Sequence, residues 1–459
     1  MTQAEIRYDR GSLVFKGFPE EVRAGFESIK YDSRTKQWRS PAFMYRDIIY
    51  KAYQSKVNVI DQARAYEKLS LSLNEEIVPR KHQKEALEHW LKNGGKGVVS
   101  LPTGAGKTIL AVLAIHEIKR PTLIVVPTID LLHQWQKTLE HFFSKEIGVL
   151  GGGERKYCNI TVATYDSAFL LCEKLGPEFG LIVFDECHHL PSTQYQLIAQ
   201  TSIAPFRLGL SATVQRSDGK EEVIYKLLGE LVYEGTINSM VDNVLAPYDV
   251  VSIEIEMTVE EKRDYDHYRS IYLGFIKKQR ISFSSPAGWQ EFIKRSARAP
   301  GGSEAMAAYR KQKLLSQGSD AKVSELWQIF RHHLGERIIV FTNDNALAYR
   351  IGREYLLPVL THLTKAKERK KMLEGFREGS LDILVTSKVL NEGVDVPEAS
   401  IGIVVSGSGA VREHVQRLGR ILRHQSGKRA VLYELISKGT SEKYVNQRRR
   451  MHHAYQKST

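Results

Sequence analysis

Two short stretches carry residues able to handle phosphate chemistry. The first is LPTGAGKT, residues 101–108, which follows the apolar run KGVVS and opens the helical pattern TILAVLAIHEIK. Gly104 and Gly106 let the backbone curl with no Cβ to clash. The N–H groups of such a loop, with the helix N-terminus behind it, face anionic oxygen. Lys107 then reaches the β- and γ-phosphates of a nucleotide, and Thr108 offers its hydroxyl to Mg²⁺. The full phosphate-loop pattern asks for glycine at position 101. Leu101 stands there, so Pro102, Thr103, Gly104, Ala105 and Gly106 meet only the shorter P-T-G-x-G-K-T form. A glycine-rich turn with a chance Lys-Thr is the competing reading, and the strand–loop–helix setting argues against it. The second stretch is VFDECHH, residues 183–189, at the end of an apolar run. From a strand's carboxyl end Asp185 reaches the metal through water, and Glu186 beside it polarises the attacking water. His188 and His189 lack the spacing and third ligand of a metal site; His188 suits a polar relay from nucleotide to the next motif. The doublets His332-His333 and His452-His453 read as helix-surface residues.

A third stretch, QRLGRILR (416–423), places Arg417, Arg420 and Arg423 three residues apart, on one helical face. A basic surface stripe would look the same. The chemical reading is that these arginines complete a γ-phosphate site across a cleft between two domains. Lys107 and Mg²⁺ alone leave transition-state charge uncompensated, and an arginine finger adds roughly 10³–10⁵ in rate.

The elements that must hold these residues follow from periodicity. Residues 1–70 read as a small α/β unit: a hairpin around Arg10-Gly11, a second strand pair in YDSRTKQWRSPAF, a helix with Tyr45, Ile48, Ile49 and Tyr53 on one face, then a short strand VNVID. Residues 71–238 alternate continuous apolar strands (KGVVS, TLIVV, NITVAT, LIVFD, RLGLS) with helices, which means a parallel sheet covered on both faces. DVVSIEIEM, within 239–257, reads as the first strand of another such domain. The alternation then stops and resumes near residue 337 with RIIVFT, LPVLTHL, LDILVTS, SIGIVVS and RAVLYELI. Residues 320–459 are thus a second α/β domain. Residues 258–319 form a mostly helical insertion with twelve Lys/Arg against six Asp/Glu.

The chain has 459 residues, which at ~100–200 residues per domain predicts about three domains. No apolar run approaches the ~20 residues of a membrane span. The polar start MTQAEIRYDR predicts no signal peptide. Three cysteines, with no CxxC pair, predict a reducing, cytoplasmic setting and no cysteine zinc site. The net charge of +13 suits a polyanion partner, because basic side chains displace condensed counterions from phosphates.

The ordered set LPTGAGKT, VVPT (125–128), TVATY (161–165), DECH (185–188), LSAT (210–213), VFT (340–342), TSKVLNEGVDVP (386–397) and QRLGRILR resembles the superfamily 2 helicases over residues 75–435. PTLIVVPT, LIVFDECHHLPS, SIAPFRLGLSAT, SGSGAVREHVQRLGRILR and AVLYELIS narrow the likeness to the XPB family of DNA helicases, compact archaeal type. The resemblance implies an α/β fold: two RecA-like parallel-sheet motor domains in tandem, a small N-terminal damage-recognition-like domain and a thumb-like helical insertion. It implies ATP and Mg²⁺ as cofactors, with Gln83 at adenine and Gly393, Asp395 and Gln416 on the nucleotide. It implies DNA as track, with Thr128, Thr164, Arg216, Asp218, Thr386 and Ser387 as contacts; a helix cap or turn is the competing role for each hydroxyl. It further implies 3′→5′ polarity, a companion nuclease, a monomeric motor, and a role in nucleotide excision repair or transcription-linked opening.

One position departs from the family. Arg216-Ser217-Asp218 stands where the family has Arg-Glu-Asp, a triplet tied to strand opening. An RNA helicase and an ATP-gated DNA clamp with little unwinding stay open as alternatives. Arg34, Lys36, Trp38 and Arg39 are further candidates for DNA contact, with Trp38 in the small domain's core as the plainer reading. The C-terminal RRRMHH is a basic tail with the same two readings.

Overall fold

The computed structural model describes residues 4–214, 219–235, 248–283, 288–387, 399–406 and 430–442. The chain divides into two compact units, residues 1–235 and 236–459.

The first unit begins with β1 (Ala4–Asp9), β2 (Ser12–Lys16), α1 (Glu20–Ala24), β3 (Lys30–Asp32), β4 (Gln37–Pro41), α2 (Tyr45–Gln54) and β5 (Val59–Gln62). Arg10 and Gly11 both take positive φ, +46° and +84°, the backbone of a two-residue hairpin turn whose twist matches the strands it joins. The strands order as β3-β4-β2-β1-β5, with β5 parallel to β1. Ile6, Leu13, Phe15, Val22 and Ile48 fill the core, and Trp38 packs against it. Arg23 lies over the Trp38 ring at 4.3 Å. This small sheet is fastened to the rest of the first unit: the Tyr8 hydroxyl donates to the Glu173 carbonyl at 2.8 Å, Arg46 donates to the carbonyls of Gly94 and Pro205, and Ile203 enters its core.

Next come α3 (Lys81–Lys92), β6 (Lys96–Ser100), α4 (Lys107–Ile118), β7 (Thr122–Val126), α5 (Ile129–Phe142), β8 (Ile147–Gly151), β9 (Glu154–Lys156), β10 (Ile160–Thr164), α6 (Tyr165–Leu170), α7 (Cys172–Leu175), β11 (Leu181–Asp185), α8 (Gln196–Gln200), β12 (Phe206–Ser211), α9 (Glu221–Leu228) and β13 (Leu231–Glu234). They build an eight-stranded sheet ordered β13-β6-β12-β11-β7-β10-β8-β9. Its pairs are parallel except β8 with β9. Strands β7, β10 and β11 are buried along their whole length, which is why they read as unbroken apolar runs. β8 and β9 escape that reading: Gly151, Gly152 and Gly153, all at positive φ, break the pattern where the chain doubles back.

The second unit holds β14 (Tyr248–Ile255), α10 (Val259–Lys278), α11 (Gly288–Ser296), α12 (Gly302–Gln317), α13 (Asp320–His332), β15 (Ile338–Phe341), α14 (Asn345–Tyr355), β16 (Val359–Leu360), α15 (Ala366–Glu378), β17 (Ile383–Thr386), β18 (Ile401–Val404) and β19 (Ala430–Ser437). A six-stranded parallel sheet runs β14-β19-β18-β15-β17-β16. Between β14 and α13 the described residues are mostly helical, opened by a Thr258–Glu261 capping box. An aromatic cluster of Phe275, Phe292, Tyr272 and Tyr309 holds those helices together. β16 is shorter than LPVLTHL predicts, because Thr361 and Thr364 bond each other across a turn. His333 is not a surface residue: it is buried, bonded to Glu336 and the Tyr433 hydroxyl.

Candidate nucleotide site

The loop 101–106 joins β6 to α4. Gly104 and Gly106 sit at φ +86° and +84°, as the curl requires. Leu101 fits where the longer pattern wants glycine, because here the position continues the strand. Its side chain is fully buried and its N–H donates to the Ser211 carbonyl at 2.9 Å. Pro102 is buried, and its carbonyl takes the Ala105 N–H. Thr103, Lys107 and Thr108 are half-buried. Lys107 and Thr108 lie in the first turn of α4, whose N–H groups have no partner within the helix.

α3 braces this loop from behind. The Gln83 side chain accepts from the Arg80 N–H at 2.9 Å and donates to the carbonyls of Ala105 (3.4 Å) and Gly106 (3.2 Å). His82 Nε2 donates to the Ala105 carbonyl at 2.7 Å. A Cβ on Gly106 would stand 2.3 Å from Gln83 Nε2.

β11 delivers the acidic pair. Both oxygens of the buried Asp185 carboxylate are engaged: the Trp135 indole N–H donates to Oδ2 at 2.8 Å and the Glu186 N–H to Oδ1 at 3.0 Å. Burial, then the adjacent Glu186 carboxylate, push the Asp185 carboxyl well above its ordinary range; Lys107 opposes them. Glu186 takes a left-handed backbone at φ +48°, which costs a non-glycine residue roughly 1–2 kcal/mol. Its Oε1 lies 3.3 Å from Lys107 Nζ and its Oε2 3.3 Å from His188 Nδ1. His188 is buried, and Nδ1 also lies 3.1 Å from the Ser211 hydroxyl at the end of β12. Ser211 in turn donates to the Thr213 carbonyl at 2.7 Å. The structure therefore gathers Gln83, the 101–106 loop, Lys107, Asp185, Glu186 and His188 in one place. Two buried carboxylates share one lysine there, a donor set that a divalent cation beside a polyphosphate would balance.

The hydroxyl candidates have structural partners. Thr128 caps α5, accepting from the Leu131 N–H at 3.3 Å, and Thr164 caps α6, accepting from the Ser167 N–H at 3.2 Å. Thr386 is buried at the end of β17, donating to the Ser387 carbonyl, and the Ser387 N–H donates to Leu360. Arg216, Asp218, Gly393, Asp395, Gln416, Arg420 and Arg423 lie outside the described residues, as do Ser217 and Arg417. Of the N-terminal candidates, Arg34 pairs with Asp32, and Arg39 pairs with Asp9 and Asp32.

Two residues at the acidic pair carry no role in the sequence reading: Trp135 is not singled out, and Tyr165 enters only as the last residue of TVATY. Only the geometry shows where the indole N–H and the phenol point. The Tyr165 hydroxyl donates to the Asp185 carbonyl at 3.1 Å.

Three family models match this chain: the type III restriction enzyme res subunit over residues 76–216, the ERCC3/RAD25/XPB C-terminal helicase over 305–457, and the xeroderma pigmentosum group B helicase damage recognition domain over 6–63. The DNA 3′-5′ translocase XPB2 of Sulfurisphaera tokodaii is 38% identical, across 97% of this chain and 99% of the relative. The DNA 3′-5′ helicase XPB of Mycobacterium tuberculosis is 28% identical, across 78% of this chain and 60% of the longer relative. Among solved structures, the Pyrococcus furiosus Hef helicase domain matches with a TM-score of 0.55 at 19% identity, over 80% of this chain and 97% of that one. Saccharomyces cerevisiae Dbp5 bound to RNA and ADP BeF3 matches with a TM-score of 0.56 at 14% identity, over 83% and 88%. Those two likenesses carry the fold alone, a tandem pair of parallel-sheet domains. The near full-length match and the two XPB-specific models decide the family: this chain belongs to the XPB family of superfamily 2 DNA helicases.

Proposed function

We propose that the chain is an ATP-driven DNA helicase and translocase that moves 3′→5′ and couples DNA-stimulated ATP hydrolysis to duplex opening. The observation that carries the ATP half of this reading is the Lys107–Glu186 pair at 3.3 Å, set across the glycine loop beside Asp185. A phosphate competes with Glu186 for the lysine. When Lys107 turns to the β- and γ-phosphates, Glu186 Oε1 loses its cation and becomes the acceptor for a proton of the attacking water. His188, tied to Ser211, keeps the other Glu186 oxygen in place. The N–H groups of the loop and of the first turn of α4 bind phosphate oxygens. Thr108 and Asp185 are the residues that would hold Mg²⁺, which when bound neutralises phosphate charge. Gln83 faces adenine, Gly393, Asp395 and Gln416 complete the nucleotide contacts, and Arg420 and Arg423 supply transition-state charge.

The track is the phosphate backbone, which any DNA sequence offers. Thr128, Thr164, Arg216, Asp218, Thr386, Ser387 and the basic segment 258–319 are its contacts. The motor works as a cytoplasmic, DNA-associated monomer beside a companion nuclease, in excision repair or transcription-linked opening. Among the described residues no helix is long and apolar enough to cross a membrane.

Two substitutions test the ATP site. Lys107→Ala weakens nucleotide binding and abolishes turnover. Glu186→Gln keeps ATP bound and lowers turnover at least ~100-fold, since only proton acceptance is lost. Steady-state hydrolysis near wild type in either variant overturns the site.

A further inference from the structure

We infer that Trp135 and Tyr165 are positioning residues for ATP hydrolysis: Trp135 orients the Asp185 carboxylate and Tyr165 holds the main chain at Glu186, each from a helix that starts at a threonine proposed to contact DNA. The inference rests on reading residues 101–108 and the acidic pair as the ATP site.

Trp135 lies on α5, is 1% exposed, and meets Asp185 through the one polar atom it has. With Oδ1 taken by the Glu186 N–H, the indole at Oδ2 fixes the plane of the carboxylate. Each oxygen keeps a second lone pair for a metal's ligand shell. The Asp185 geometry is therefore set by a helix that begins at its cap Thr128.

Tyr165 opens α6, directly after its cap Thr164. Its hydroxyl lies 3.1 Å from the Asp185 carbonyl and 3.5 Å from the Glu186 carbonyl. Those carbonyls belong to the peptide groups on either side of the Glu186 Cα, whose planes define φ and ψ there. The observed +48° and +52° are left-handed, a conformation Glu adopts only when its surroundings hold it. The phenol ring is itself fixed among Phe184, His189 and Tyr195, with ring centres 6.1, 5.9 and 5.0 Å away. Both partners are carbonyl oxygens, which only accept, so the phenol is the donor. α5 and α6 thus each end a polar link on the acidic pair, one on a side chain and one on the backbone.

The two links predict different kinetic defects. Trp135→Phe deletes the donor to Asp185, so the Mg²⁺ concentration for half-maximal ATP hydrolysis rises about tenfold, the worth of a hydrogen bond to a charged group. Tyr165→Phe deletes one oxygen, so kcat falls about tenfold while half-saturating Mg²⁺ and nucleotide Kd stay within twofold. Melting temperatures of both stay within a few degrees of wild type. Should Trp135→Phe fail to fold, benzothienylalanine at 135 keeps the two-ring shape without the N–H and makes the same comparison. Variants that shift melting temperature and every kinetic constant together show a packing role and overturn the inference; so do two variants that match wild type. Lys107→Ala run alongside separates the cases. If it hydrolyses ATP like wild type, the site is misread; if it is inactive while both aromatic variants match wild type, only the positioning inference falls.

Discussion

Gly106 is the tightest point of the site. Its φ of +84° suits glycine, and a Cβ there would meet Gln83 Nε2 at 2.3 Å. Gly106→Ala therefore strains the loop and pushes away the side chain that braces it. The left-handed backbone alone costs alanine ~1 kcal/mol, and losing the Gln83 bonds to Ala105 and Gly106 adds about as much again. A fluorescent-nucleotide titration should show binding weakened at least ~10-fold, with circular dichroism unchanged. Wild-type affinity would mean that the Gln83 brace is irrelevant to the nucleotide. At this scale the sequence is informative where chemistry restricts residue type. Lys107, Asp185 and Glu186 are legible because a polar triad beside apolar strands has few other uses. Trp135 and Tyr165 are not, since an aromatic in an apolar pattern signals packing, and the direction of its one polar atom is a three-dimensional fact.

At the scale of elements, Arg207 is the clearest case of a side chain whose work lies in holding others. It sits in β12, 1% exposed, and its guanidinium donates to the carbonyls of Ala204, Ala199, Leu227 and Ser202. The Ala199 and Leu227 carbonyls lie in α8 and α9, so one cation gathers two helices and the loop before its own strand. Burial draws its pKa down to about 10, far enough from neutrality that it stays charged. Arg207→Leu leaves those carbonyls buried without a donor and should destabilise the first unit by about 3–5 kcal/mol, read as a lowered midpoint in thermal or denaturant unfolding. A shift under ~1 kcal/mol would show that water replaces the guanidinium. Readability follows the unbroken apolar run rather than burial alone: β8 is buried throughout, but its glycines interrupt the run. β7, β10 and β11 announce themselves as apolar runs. β9 (ERK) is exposed throughout and comes after three glycines, so neither hydropathy nor propensity marks it. β16 shrinks to two residues because a threonine turn takes over a stretch whose composition still says strand.

For the whole molecule, each unit is built around its own mainly parallel sheet, and the basic excess of the chain sits disproportionately in the segment between β14 and α13. A motor needs such a division: one part to hold nucleotide, and basic surface to hold a polyanion of any sequence. On the proposed function, ATP hydrolysed at the Lys107–Glu186 site moves this chain along DNA from 3′ to 5′. Displacement of streptavidin from end-biotinylated single-stranded DNA reads out that direction. ATP-dependent displacement is expected from the 5′ end and slow displacement from the 3′ end, with neither in Lys107→Ala. Faster displacement from the 3′ end, or displacement that persists in Lys107→Ala, would contradict it.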